Sequence, residues 1–202
     1  MKEQDVKKYF DKMAPTRNKW KKKSRYYYDY LENFISFVAP ENKRVLEIGC
    51  GTGDLLFKLK PSFGLGVDIS DNMIELAKGK NSNPKIEFKV GTIDDVEGLF
   101  DYIILSDLIG YLIDIEDFFR KLSRVTHPRS KIIITQYGQL WEPVLNLASS
   151  VGLRMPIPFV QNWISKEDIK NFLHLTGFET IKSGKKILFP KNIPFVSRVI
   201  NN

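Results

Sequence analysis

Val45-Leu46-Glu47-Ile48-Gly49-Cys50-Gly51-Thr52-Gly53-Asp54 decides the fold. Its first four residues form an apolar run broken by one carboxylate, short enough for a buried strand, and glycines 49, 51 and 53 follow at alternate positions. From Asp54 to Lys60 the pattern reads as a helix opened by an acidic residue. Glycine is required where the chain turns sharply from strand into helix and where a ligand must reach the backbone, because a side chain would block it. The dinucleotide fingerprint G-x-G-x-x-G, counted from Gly49, would need glycine where Asp54 stands, so a nicotinamide cofactor is disfavoured.

Downstream of this loop, short apolar runs alternate with helical segments. Strands are expected at 44–48, 64–67, 86–90, 102–105 and 132–135, with helices at 54–60, 71–78 and 115–125 between them. That alternation implies a mainly parallel, doubly wound α/β sheet with helices on both faces. Asp68 closes the second strand, where a carboxylate can accept hydrogen bonds from both hydroxyls of a ribose. Upstream, helices over 3–13 and 24–38 are separated by the Ala14-Pro15 break and stopped at Pro40, forming an N-terminal helical cap over residues 1–40. The core then spans 41–189, with an insertion at about 138–164 that contains a helical stretch, Leu140 to Val151, and a Pro156/Pro158 loop. A helix opens at Ser165 with a capping box to Asp168 and ends at Gly177, and 178–189 reads as a strand with a turn at Ser183-Gly184. Residues 190–202 are read as a truncated tail.

Composition narrows the function classes. A chain of 202 residues with 43% hydrophobic content builds a packed core, which excludes a disordered protein. Cys50 is the single cysteine, so an internal disulfide framework is excluded, and the charged N-terminus is unlike a signal peptide. No stretch approaches the roughly 20 apolar residues of a membrane span. Together these features favour the cytoplasm. The net charge of +7 is concentrated in Arg17, Lys19, Lys21, Lys22, Lys23 and Arg25, either a phosphate-binding patch or, the more ordinary reading, a solvated helix start. His127 and His174 lack any metal-ligand spacing, so no metal is expected. Cys50 reads as a small residue that fits the loop. The aromatic run Tyr26, Tyr27, Tyr28 and Tyr30 could line an acceptor pocket, but at helical spacing only some of it can face inward, so it reads mostly as packing or surface.

The glycine spacing, with Glu47 before the first glycine, resembles motif I of class I S-adenosylmethionine (SAM)-dependent methyltransferases. Further stretches occupy the places that family expects: Val67-Asp68-Ile69-Ser70 with Met73-Ile74, Phe100 through Asp107, and Ile132 through Thr135. Tyr9-Phe10-Asp11, Ser106 through Gly110, Leu140 through Pro143 and Gln161-Asn162-Trp163 resemble bacterial methyltransferase domains joined to a family 2 glycosyltransferase on one polypeptide.

The resemblance implies a Rossmann-like sheet, SAM as cofactor and S-adenosylhomocysteine (SAH) as product. It also assigns roles. Gly49, Cys50, Gly51 and Gly53 form the cofactor loop, Glu47 contacts the methionine ammonium, and Asp68 takes the ribose hydroxyls. Ile69 and Met73 sandwich the adenine, and the Ile93 N–H meets a ring nitrogen. The family often has an aspartate near Thr92 for the adenine amino group; Thr92 departs from this, and Asp94 is the substitute. Ser106 completes the cofactor contacts, and Asp107 and Tyr111 are the catalytic candidates, with Tyr137 lining the acceptor pocket. Asp107 is also open to a reading as a cofactor anchor or helix cap. The implied acceptor is a small molecule or a carrier-linked sugar methylated on O or N, with the N-terminal helices and the 141–163 insertion closing over it. Two alternatives are an RNA methyltransferase, disfavoured because no RNA-binding module is recognisable, and a SAM-binding, non-catalytic regulatory domain of a longer protein. Family members usually finish with an antiparallel strand pair, and only its first strand is legible here, so a fragment of a longer protein, fused to a further domain, is expected.

Overall fold

The computed structural model describes residues 2–138, 149 and 162–185. Its sheet has five strands: β1 (Arg44–Ile48), β2 (Phe63–Asp68), β3 (Ile86–Val90), β4 (Phe100–Ser106) and β5 (Thr126–Thr135). They lie in the order β3-β2-β1-β4-β5, and every neighbouring pair is parallel. The seven α-helices of the described residues are α1 (Glu3–Met13), α2 (Arg17–Lys23), α3 (Arg25–Val38), α4 (Asp54–Leu59), α5 (Asp71–Lys80), α6 (Ile115–Leu122) and α7 (Lys166–Leu175).

Alternation along the strands builds two cores. Leu46 and Ile48 of β1, with Ile103 and Leu105 of β4, face Phe118, Phe119 and Leu122 of α6 and Ile169 and Leu173 of α7. Val45, Tyr102, Ile104 and Ile133 point the other way, against Ile35 of α3, Leu56 of α4 and Ile74 of α5. Both sheet faces are therefore covered, as a parallel sheet requires. Chain direction across the sheet reverses between β1 and β4, and the crevice beyond their carboxyl ends is where such a fold binds ligands.

Helix starts follow local chemistry. The hydroxyl of Ser70 accepts from the N–H of Met73 at the start of α5, and Asp114 caps α6 through Asp117. Ser165 and Asp168 form the expected capping box on α7. Where 24–38 reads as one helix after an unassigned basic run, that run is itself α2, which turns into α3 at Ser24. The fifth strand starts at Thr126, six residues early: a register shift opposite Phe100 and Tyr102 accommodates Pro128, and His127 Nε2 lies 3.2 Å from Asp101 Oδ1.

The strand expected at 178–189 is not formed over 178–185. There Gly177 closes α7 at φ +86°, the chain has no sheet partner, and Ile181 is 81% exposed. Lys182-Ser183-Gly184-Lys185 offers no apolar face to pair with the sheet. The rest of that stretch, most of the 138–164 insertion and the 190–202 tail lie outside the described residues. No helix of the described residues is long and apolar enough to cross a membrane.

Candidate cofactor and acceptor site

The loop from Gly49 to Gly53 leaves β1 under tight backbone control. Gly49 and Cys50 both donate to the Val67 carbonyl, at 2.7 and 3.1 Å, and Gly53 donates back to Cys50 at 3.0 Å. Its glycines serve different ends. A Cβ on Gly53 would lie 2.4 Å from the Phe88 ring, so this glycine lets the loop pack on β3; a Cβ on Gly51 would meet nothing within 4 Å, because that position faces the cleft. The Cys50 side chain is in the core, and burial pushes its thiol well above the ordinary value, which keeps it protonated and agrees with a packing role.

Asp68 sits at the end of β2 with both oxygens anchored. Oδ2 accepts from the Gly51 N–H at 2.8 Å, and Oδ1 accepts from the Ser70 N–H at 2.9 Å. Each oxygen retains a lone pair, and Asp68 lines the cleft beside Ile69 and the fully buried Met73. Burial raises its carboxyl, while the two N–H groups and Arg17 act in the opposite sense.

Among the described residues, Glu47 holds the one buried side-chain oxygen or nitrogen with no hydrogen-bond partner. Its side chain is 4% exposed, and the unpartnered atom is Oε2. Burial raises its pKa to about 8, against the opposing charge of Lys21. It borders a small polar cavity of about 70 Å³ shared with Arg17, Lys21 and Gly51. Lys21 is occupied, bonded to Asp54 at 2.8 Å and paired with Glu32 at 3.5 Å. Arg17, by contrast, has no carboxylate within ion-pair distance among the described residues and borders both this cavity and the main cleft.

A buried acid with an unsatisfied oxygen and a guanidinium that rests on the Tyr28 ring, 5.5 Å from its centre, with no carboxylate partner among the described residues, share one polar space, an arrangement that matches the ammonium and carboxylate of an amino-acid moiety. With the Asp68 carboxylate on the cleft, of a chemistry that can accept from ribose hydroxyls, the residues present fit SAM.

Beyond Asp68, Thr92 and Asp95 form a capping box that starts a short turn of helix at Ile93. Ile93 is buried on the cleft wall, and its N–H has no acceptor among the described residues. Asp94 also lines the cleft, but its oxygens are engaged by Lys121 at 2.7 Å and Arg124 at 3.2 Å. Ser106 accepts from the Thr135 hydroxyl at 3.2 Å, at the ends of β4 and β5.

Asp107 follows with φ +54°, a left-handed backbone unusual for a residue with a side chain, and its N–H donates to Thr135. The Tyr27 hydroxyl lies 3.0 and 2.8 Å from the two Asp107 oxygens and donates to the carboxylate. Tyr27 stacks on Tyr137 with centroids 5.0 Å apart, and Tyr111 meets Phe10 edge-on at 5.1 Å. Burial and then Asp107 raise the Tyr27 phenol well above 10, so it remains a donor at every ordinary pH.

The structure thus brings Gly49, Gly51, Asp68, Ile69, Met73, Thr92, Ile93, Asp94, Ser106, Asp107 and Tyr111 to the cleft and sets Glu47 and Cys50 on the small cavity that shares Gly49 and Gly51 with it, whereas Gly53 lines neither and packs on Phe88. Sequence reading singled out neither Tyr27 nor Arg17 as a site residue. Tyr27 was indistinguishable from its tyrosine neighbours, and Arg17 was one of a basic run; only helical phase, which turns Tyr27, Leu31 and Ile35 inward, could have separated the first.

A family model described as a methyltransferase domain matches residues 20–183. The chain is 33% identical over 109 residues to the ribosomal protein L11 methyltransferase of Thermotoga neapolitana, an overlap of 50% of this chain and only 40% of that protein. It is 24% identical to the demethylmenaquinone methyltransferase of Staphylococcus saprophyticus, over 77% of this chain and 84% of that one. In structure it is similar to the magnesium protoporphyrin IX methyltransferase of Synechocystis, solved with SAH bound, at a TM-score of 0.69 and 18% identity, covering 91% of this chain and 92% of that one. With the model match running from α2 past α7, through every strand of the sheet, the chain belongs to the methyltransferase-domain family.

Proposed function

We propose that the chain transfers the methyl group of SAM to an O or N atom of a small-molecule or carrier-linked sugar acceptor in the cytoplasm. The observation that carries this reading is Glu47, a buried carboxyl with an unsatisfied oxygen in the wall of the glycine loop, a group that a ligand ammonium would complete. SAM, when bound, supplies an electrophilic methyl on a sulfonium.

The protein's part is to bind, orient and exclude water. Glu47 and Arg17 hold the two charged ends of the methionine moiety, and Asp68 takes the ribose hydroxyls with its free lone pairs. Ile69 and Met73 give the adenine apolar surface, the Ile93 N–H meets a ring nitrogen, and Asp94, on the same wall, takes the amino group with a lone pair beyond those that Lys121 and Arg124 engage. Asp107, at the reversal point of the sheet, accepts the proton of an acceptor hydroxyl or ammonium, and Tyr111 borders the acceptor. Tyr27 fixes the orientation of that carboxylate.

The carrier-linked sugar and a further domain in the whole protein rest on the four sequence stretches that resemble domains joined to a glycosyltransferase. The RNA reading has less support, because Lys21 is committed to Glu32 and Asp54 and Arg17 turns into the cleft, which thins the basic run.

Calorimetric titration with SAM, SAH and NADH, on the wild type and an Asp68→Ala variant, tests the cofactor assignment. Saturable binding of both sulfur nucleosides, lost in the variant and absent for NADH, is expected. Failure of the wild type to bind either would sink the reading. Binding without turnover across an acceptor panel would leave the non-catalytic domain.

A further inference from the structure

The helix α1 belongs to the cap, outside the residues the family model matches, yet its contacts converge on the cofactor side of the cleft. Asp11, in its last turn, is the centre of them. The Ser70 hydroxyl donates to Asp11 Oδ1 at 2.6 Å, the Asn72 N–H donates to the same oxygen at 3.3 Å, and the Asn72 side-chain amide donates to the Asp11 carbonyl at 2.9 Å. Lys7, one turn earlier, bonds Asp11 at 2.8 Å and also bonds Asp71. The whole turn from Ser70 to Asn72 is therefore bolted to α1.

That turn has a second task. Its first residue, Ser70, is fully buried, and its N–H is one of the two donors that fix the Asp68 carboxylate. Its hydroxyl also accepts from the Met73 N–H, which sets Met73 on the cleft wall. From Asp11 the relay passes through the Ser70 side chain to the Ser70 backbone and on to Asp68. The residue beside Asp11, Phe10, lines the same cleft and packs on Tyr111.

We infer that Asp11 is a positioning residue for the cofactor: through Ser70 it sets the orientation of the ribose-binding carboxylate Asp68, so that cofactor affinity depends on the docking of α1. The inference rests on the assignment of SAM and SAH to this cleft. Burial pushes the Asp11 carboxyl up, but Lys7, the Ser70 hydroxyl and the Asn72 N–H together hold it below its ordinary range, so it acts as an ionised acceptor at neutral pH.

Calorimetry of SAH with the full chain tests it in a double-mutant cycle of Asp11→Ala and Asp68→Asn. Asp11→Ala is expected to weaken SAH about tenfold, the loss of one charge-assisted hydrogen bond. In the Asp68→Asn background the same change is expected to cost much less, because the group it positions is already impaired. Asp11→Asn, which keeps an acceptor oxygen for Ser70, is expected to recover most of the affinity, and Ser70→Ala is expected to reproduce the loss from the other end of the relay. An unchanged affinity in Asp11→Ala overturns the inference. So does a loss of equal size in both backgrounds, which would mean that α1 only stabilises the fold. A wild type that binds no SAH overturns the cofactor reading and this inference with it, and is told apart by failing before any variant is made.

Discussion

Glu47 joins stability to ligand chemistry through one proton. Its pKa of about 8 in the folded chain lies above the ordinary 4.5 because burial penalises the charge. Between these values the folded state binds the extra proton, so unfolding becomes easier as pH rises from about 4.5 to 8. Glu47→Gln keeps the neutral shape and removes that slope. Denaturant unfolding should find the variant more stable than wild type at pH 8.5, by up to roughly 5 kcal/mol, and nearly indistinguishable near pH 4.5. Binding runs the other way, because a ligand ammonium needs the ionised carboxylate. SAH affinity should therefore rise between pH 6 and 8, as the bound complex releases a proton. The affinity of 5′-methylthioadenosine, which lacks the amino-acid moiety, should stay flat, and a parallel rise for both ligands would contradict the pairing of Glu47 with an ammonium.

At the scale of elements, the loop between β1 and α4 separates two uses of glycine that its sequence presents as one pattern. Gly53→Ala would drive a methyl group into the Phe88 ring at 2.4 Å with φ at +75°, so overlap and backbone strain add to about 2–4 kcal/mol of lost stability. Gly51→Ala has open space in front of it and a φ of +53°, a cost of about 1 kcal/mol, but its methyl projects into the ligand's space. Thermal melts should show a large drop for Gly53→Ala and a small one for Gly51→Ala, while titration with SAH should show Gly51→Ala weakened at least about tenfold. Equal behaviour of the two would refute the division. All five strands and this loop were legible in the sequence because apolar runs and glycine spacing are local signals. What was not legible is tertiary. Nothing local marks Tyr27 as the tyrosine that reaches Asp107, 80 positions away, or Asp11 as the partner of Ser70, 59 positions away. Asp94 was legible as a cleft residue, but its pairing with Lys121 and Arg124 depends on how α6 lies against the short turn at Ile93. The strand expected beyond α7 failed over 178–185 because strand propensity alone does not supply a face to bury.

Across the molecule, cap and core are held by charge as well as by apolar packing, and Lys21 is where the two meet. It projects from α2, pairs with Glu32 of α3 and Asp54 of α4, and lies near the Glu47 carboxyl of β1. Lys58 and Lys80 assist from the core side, at 3.6 Å from Glu32 and 3.1 Å from Asp54. The Lys21 side chain is only 21% exposed, so replacing it with methionine leaves carboxylates facing a poorly solvated space with less compensation. Burial alone would raise Asp54; Lys21, Thr52 and Lys80 together bring it below its ordinary range, so it stays ionised through neutral pH and the loss is felt there. Glu47 charges only near pH 8, and adds to the repulsion only above that. Lys21→Met should therefore destabilise the chain by on the order of 1–3 kcal/mol at pH 6, a fall in Tm of about 2–4 °C per kcal/mol for a domain of this size. By pH 8.5 the loss should be larger, because wild type then gains the Lys21–Glu47 attraction that the variant lacks. Combining Lys21→Met with Glu47→Gln should erase that extra loss and leave the pH 6 loss in place. A deficit that ignores pH, or that survives undiminished in the double variant, would show that Lys21 only ties α2 to α4, with no electrostatic link to the carboxyl beneath the loop.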